Sequence, residues 1–145
     1  MVVELGKVCM RFLAIDLGDK RTGLAIGDDE TKIASPLTVI EIVRGDALID
    51  AIGNSIKDHA PDAIVLGLPL NMDGTEGPQA KLVREFGEQL HKCCGLEVHY
   101  HDERLTSFAA DQQMARTGRT HKQKKRLRDA LAAAEILRDF LSDRD

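Results

Sequence analysis

Short apolar runs along the chain switch between strand and helix spacing. Phe12-Leu13-Ala14-Ile15 is a continuous apolar run that closes at Asp16 and predicts a buried strand. Gly18 to Gly23 predicts a turn, Leu24 to Gly27 a second strand and Ile33 to Ile42 a third. Their short connections predict antiparallel hairpins. From Asp46 to His59 the spacing becomes helical, with Leu48, Ile49, Ile52 and Ile56 on one face. Ala63 to Gly67 is again a continuous apolar strand, and because it follows a helix a parallel crossover is expected. Leu70 to Gly77 is a loop rich in Gly, Asn and Asp. Pro78 to Cys93 predicts a helix with Leu82, Val83, Phe86 and Leu90 inward and Gly95 as its stop. Leu96 to Tyr100 predicts a fifth strand. Thr106 or Ser107 can cap a helix ending before Gly118, and a last helix runs from about Gln123 to Leu141.

The order βββαβαβαα predicts an α/β domain. Three antiparallel hairpin strands continue into parallel βα units, giving a five-stranded mixed sheet with helices on both faces. No repeat, linker or low-complexity segment interrupts it, so residues 1–145 read as a single domain. Residues 1–11 stand outside the pattern as an N-terminal extension.

Composition adds exclusions. With 43% hydrophobic and 30% charged residues the chain reads as globular. No apolar run approaches the roughly 20 residues that span a bilayer. The opening segment carries Glu4 and lacks a long apolar region, so no signal peptide and a cytoplasmic location are expected. Cys9, Cys93 and Cys94 are odd in number and form no CxxC pair, which predicts reduced thiols. The net charge of −4 argues against a broadly basic surface. It leaves room for a local basic patch, because phosphate attraction is short-ranged at physiological salt.

Three carboxylates carry the candidate chemistry. Asp16 closes an apolar strand, Glu103 follows the fifth strand, and Asp129 shares a helix face with Ala133, Ile136 and Phe140. The polar stripe of that helix runs through Arg128, Glu135, Asp139 and Ser142 instead. Half-buried carboxylates are costly unless they are paired or bind a cation. Two of them about 4 Å apart repel by about 4 kcal/mol at an effective dielectric near 20. Hard oxygen donors suit Mg2+ or Mn2+, and two such ions can clamp a phosphodiester. Taken singly, each residue has a plainer alternative. Asp16 can form an Asx turn, Glu103 can pair with Arg104 or Arg21, and Asp129 can pair with Lys125 one turn away.

Cations surround these positions. Lys20 and Arg21 lie in the Gly18 to Gly23 turn, where side chain and backbone N–H groups can hold a phosphate. Arg116, Arg119, Lys122, Lys124, Lys125, Arg126 and Arg128 form a run that leads into Asp129. Such a run is usually a solvated face; bordering Asp129, it favours phosphate binding. One Tyr and no Trp leave little for base stacking. His91, Cys93, Cys94, His99 and His101 match no standard zinc spacing.

The stretches Asp16-Leu17-Gly18-Asp19-Lys20-Arg21-Thr22-Gly23-Leu24-Ala25, Gly67-Leu68-Pro69-Leu70-Asn71-Met72-Asp73-Gly74, Asp102-Glu103-Arg104-Leu105-Thr106-Ser107 and Asp129-Ala130-Leu131-Ala132-Ala133 resemble the YqgF family, also called RuvX. That family belongs to the ribonuclease H-like superfamily and is similar to the RuvC resolvases. The resemblance spans Phe12 to Leu141, with Ser107 where a second threonine is common. It implies a five-stranded fold with the site at the ends of the first and fourth strands, and acidic site residues at Asp16, Glu103 and Asp129. Family members are described as candidate nucleases maturing the 5′ end of pre-16S ribosomal RNA and as possible Holliday junction resolvases.

The expectation is therefore a nuclease hydrolysing phosphodiester bonds with two divalent ions. Asp16, Glu103 and Asp129 hold the metal, and Lys20, Arg21, Arg119, Lys122, Lys124, Lys125 and Arg126 hold nucleic acid. Processing of pre-16S RNA is the first reading and junction resolution the alternative, by a monomer or a homodimer respectively. A phosphotransferase or ATPase of related fold needs a second domain to close over nucleotide. A non-catalytic RNA scaffold has no need of clustered carboxylates.

Overall fold

The computed structural model describes residues 9–103 and 121–143, and of residues 121–127 the backbone alone. The elements are β1 (Arg11–Asp16), β2 (Thr22–Asp28), β3 (Ala34–Ile40), α1 (Asp46–His59), β4 (Ala63–Leu68), α2 (Pro78–Cys94), β5 (Glu97–Asp102) and α3 (His121–Ser142). The helix expected between Thr106 and Gly118 lies outside the described residues. None of the helices described is long and apolar enough to cross a membrane.

The five strands form one sheet in the order β3-β2-β1-β4-β5. β1, β2 and β3 pair antiparallel, whereas β4 pairs parallel with β1 and β5 parallel with β4. The hairpin half and the crossover half thus meet at β1. The C-terminal ends of β1, β4 and β5 open on one edge of the sheet.

Strand parity sends alternate residues to two cores. Leu13, Ile15, Leu24, Ile64 and Leu66 face α1 and α2, where Leu48, Ile52, Val83, Phe86 and Leu90 meet them. Phe12, Ala14, Ala25, Ala63 and Val65 face α3 and its Ala133, Ile136, Leu137 and Leu141. Beside Phe12 and Val65 this face carries Ala14, Ala25 and Ala63, and the helix sits close to it. A Cβ at Gly23 would overlap the carbonyl of Asp129, and one at Gly27 would come 3.1 Å from Leu137 Cδ2. Small side chains on this face therefore set the depth of the helix that bears Asp129.

The helices stop for local reasons. Pro78 opens α2, where its missing N–H costs nothing. Gly95, at φ 76°, closes it by donating its N–H to His91 O at 2.8 Å. Two expectations are corrected. Leu82, expected inward, is 38% exposed, because the buried stripe of α2 runs through Ala80, Val83, Phe86, Gly87 and Leu90. Ile33, expected in the third strand, lies before it and is mostly exposed, since β3 starts at Ala34 as the edge strand.

Candidate active site

Asp16 ends β1 opposite Gly23 and has the parity of Phe12 and Ala14, so it faces α3. Glu103 follows β5 with the parity of His99 and His101 and faces the same way; its N–H donates to Leu68 O at 3.4 Å, just past the end of β4. The site therefore lies at the end of the first strand and after the fifth, leaning on the end of the fourth. β4 separates β1 from β5, so two carboxyls can meet only across it. Gly67 makes this possible: a Cβ there would overlap Glu103 Oε2 and come 2.6 Å from Ile136 Cδ1. A glycine within a strand is a signal of close approach, and it marks a position the carboxylates alone do not reveal.

The Asp16 and Glu103 carboxyls lie close enough to act on each other's titration. Without a cation, a proton held between them would relieve the contact. Burial is the main reason both carboxyls titrate high. Asp16 rises to about 6, with Asp129 raising it further and the Glu103 hydrogen bond and Arg128 opposing. Glu103 rises to about 8, through burial, then the charge of Asp16, its hydrogen bond to Asp16 and the charge of Asp102. Arg128, expected on the polar stripe, thus acts electrostatically on the site as well.

Asp129 approaches from α3. Its Oδ2 lies 3.0 Å from Arg21 Nε, so Arg21 pairs with Asp129 and not with Glu103. Arg21 enters from the β1–β2 turn, and a second ion pair pins that turn: Arg44 Nη2 lies 2.9 Å from Asp19 Oδ1. Between turn and helix opens a cavity of about 750 Å3, lined by Lys20, Arg21, Glu41, Val43 and Asp129. Its lining carries two cations, Lys20 and Arg21, beside the carboxylates of Asp19, Glu41 and Asp129.

The donor set fits a hard divalent cation. All three groups offer oxygen, and a cation could stand where two of them would otherwise share a proton. Among the described residues, the group whose ligand atoms all lie within 4.8 Å of one another is a different one, His101, Asp139 and Asp143. There His101 Nε2 contacts Asp139 Oδ2 at 2.6 Å and joins β5 to α3. His99 pairs with Glu97 at 3.0 Å, and both histidine rings pack on Phe140. Of the expected phosphate-binding residues, Arg119 and the side chains of Lys122, Lys124, Lys125 and Arg126 lie outside the described residues.

The family model described as "RuvX: Holliday junction resolvase" matches residues 10–143. A protein named "Putative pre-16S rRNA nuclease" from Anaeromyxobacter sp. (strain Fw109-5) is 38% identical over 93% of this chain and 98% of its own length. One of the same name from Roseiflexus sp. (strain RS-1) is 39% identical over 90% and 93%. Among solved structures, the Fowlpox virus resolvase bound to Holliday junction DNA superposes with a TM-score of 0.57 at 13% identity, covering 92% of this chain and 97% of that one. T. thermophilus RuvC bound to a Holliday junction superposes at 0.51 with 14% identity, over 88% and 92%. These superpositions give the fold, which is ribonuclease H-like.

Proposed function

Because the chain belongs to the RuvX family, we propose that it is a metal-dependent nuclease that hydrolyses phosphodiester bonds in processing the 5′ end of pre-16S ribosomal RNA. The observation that carries the reading is the meeting of Asp16 and Glu103 across Gly67, beside Asp129. A structural role does not call for two buried carboxyls brought together at a strand end. Asp16, Glu103 and Asp129 would hold Mg2+ or Mn2+, in two positions. Bound there, the ions would supply an activated water and neutralise charge on the leaving oxygen.

The chain's own residues do the rest. Arg21 holds Asp129 in place through its guanidinium and, with Lys20, presents positive charge to the cavity where the backbone of the substrate would lie. Burial of Asp16 and Glu103 favours the protonated pair until a cation replaces the proton, so cation binding releases a proton. Arg119, Lys122, Lys124, Lys125 and Arg126 lead into Asp129 along the chain and would be the further candidates for holding phosphates. Contacts of this kind position a strand without reading its bases.

The description of the family model favours a second reading, resolution of a four-way junction. Symmetric cutting of two strands needs a two-fold dimer, whereas end processing works in a monomer. The relatives' names favour RNA. The test incubates the protein and Asp16→Asn with Mn2+ and labelled precursor RNA, unstructured RNA, duplex DNA and a four-way junction, with mass measured in solution. Cleavage of precursor RNA by the wild type alone is expected. Symmetric junction cutting by a stable dimer with RNA intact would select the second reading, and equal cleavage by Asp16→Asn would overturn both.

A further inference from the structure

We propose that the loop from Leu70 to Gly77 is a rigid prong that sets Met72 against an unstacked base beside the scissile phosphate, so that the site selects the boundary between paired and unpaired strand. This rests on the nuclease reading above. The loop leaves β4 at its C-terminal end, between the β1 end that carries Asp16 and the β5 end that precedes Glu103. Its root is in contact with the site, since Glu103 N–H reaches Leu68 O and Glu103 Oε2 lies over Gly67.

The loop is held in one shape by its own polar groups. Leu70 and Glu76 form an antiparallel bridge. Asn71 N–H donates to Thr75 O at 2.8 Å, Gly74 N–H to Asn71 O at 2.8 Å, and Asn71 Nδ2 to Thr75 Oγ1 at 2.9 Å. Asp73 Oδ1 accepts from Thr75 N–H at 3.0 Å and from its hydroxyl at 2.6 Å. Glu76 accepts two bonds from the Arg84 fork, at 2.7 and 2.6 Å, and Arg84 lies 4.8 Å above the Tyr100 ring. Both loop carboxylates are thus engaged within the protein.

At the tip stands Met72, 87% exposed. A single exposed apolar residue is ordinary; one held out on a braced tip beside a nucleolytic site is not. Residues 70–77 contain no Lys or Arg, so the prong has no cationic side chain with which to hold a phosphate. A flexible, polarisable thioether suits the face of a base, and apolar side chains of this kind wedge into opened base steps. Within a continuous duplex the step is closed, and within a uniform single strand there is no step to open. The boundary offers both a stacked neighbour and an available base.

The test uses RNA hairpins with a 5′ single-stranded extension, carrying 2-aminopurine at each of four positions around the boundary in turn. An unstructured strand of equal length is the control. The protein carries Asp16→Asn to keep the probes intact. Binding should brighten the base at one boundary position. Adding Met72→Ala should abolish that change and weaken hairpin binding by about 5- to 10-fold, with control-strand affinity and melting temperature unchanged. Met72→Leu should restore both. Equal hairpin affinity and equal brightening with and without Met72, or no brightening at any position, would overturn the prong while leaving the nuclease reading in place. Failure to bind either RNA would overturn the nuclease reading, and the prong with it.

Discussion

The close approach of the buried Asp16 and Glu103 carboxyls makes stability without metal depend on pH in a direction opposite to most carboxylates. Both groups titrate higher in the folded chain than in the unfolded one, at about 6 and about 8 against ordinary values of 3.8 and 4.5. Below about pH 4 both states are protonated and the full stability is present. As pH rises, the unfolded chain loses its protons first, and stability falls until the folded groups have also ionised near pH 8. Each tenfold loss of acidity on folding corresponds to about 1.36 kcal/mol. Burial is the first cause of both shifts and the two groups titrate as one coupled pair, which gives up on the order of 5 kcal/mol across this window. At about 3 °C per kcal/mol for a domain of this size, the melting temperature in chelator should fall by about 15 °C between pH 4.5 and 8. Asp28 and Glu76, whose carboxyls titrate low, act in the other sense and lose stability only as pH falls below the ordinary carboxylate range. Glu103→Gln removes the second charge while its amide can still donate to Asp16. Without metal it should melt well above wild type at pH 8, by about 6–9 °C, and equal it near pH 4.5. Saturating Mn2+ should close that gap. A cation at 100 times its dissociation constant adds about 2.7 kcal/mol, and the variant has lost one of its ligands. Thermal melts from pH 4.5 to 8.5 at constant ionic strength, in chelator and in Mn2+, test this. A flat wild-type profile, or a variant that melts with wild type at pH 8 in chelator, would refute the shared-proton account.

Other consequences are separable. Activity should require Mg2+ or Mn2+ and vanish in chelator, while Ca2+ should bind but support little turnover because its looser shell positions oxygens poorly; hydrolysis rates in each ion decide it. Gly67→Ala should fold but lower Mn2+ affinity, since the added Cβ displaces the flexible Glu103 carboxyl; Gly23→Ala meets the rigid backbone at Asp129 and should cost about 1–3 kcal/mol in chemical denaturation. Arg21→Ala releases Asp129 and should weaken Mn2+ binding about 10- to 100-fold by calorimetry. Single removal of Lys122, Lys124, Lys125 or Arg126 should flatten the plot of log affinity against log salt by about 0.7 for single strands or 0.9 for duplex, equally across base sequences.

Much of the architecture was legible from hydrophobic periodicity. α1 runs from Asp46 to His59 as its spacing indicates, and the continuous apolar runs at Phe12 and Ala63 became the buried strands β1 and β4. These are local signals: a 3.6-residue or 2-residue period and a stop such as Gly95. They fail where the local pattern is ambiguous. Leu82 fits a helical apolar stripe but sits at its margin, because the face the helix buries runs through Ala80, Val83, Phe86, Gly87 and Leu90.

Sequence spacing could nominate Asp16, Glu103 and Asp129 as acidic groups at element ends, but it could not bring together positions so far apart in the chain. That followed from three tertiary facts. The sheet order places one strand, β4, between the two carboxylate-bearing ends. Gly67 leaves no side chain on that strand to keep the carboxyls apart, and the Ala and Gly positions on one face let α3 descend until Asp129 reaches the same edge. The coupled carboxyls, the Arg21–Asp129 pair and the braced Met72 loop are properties of that assembled edge. Burial and proximity raise a carboxyl's pKa or hold a loop in shape, and neither exists in the chain until strands distant in sequence have paired.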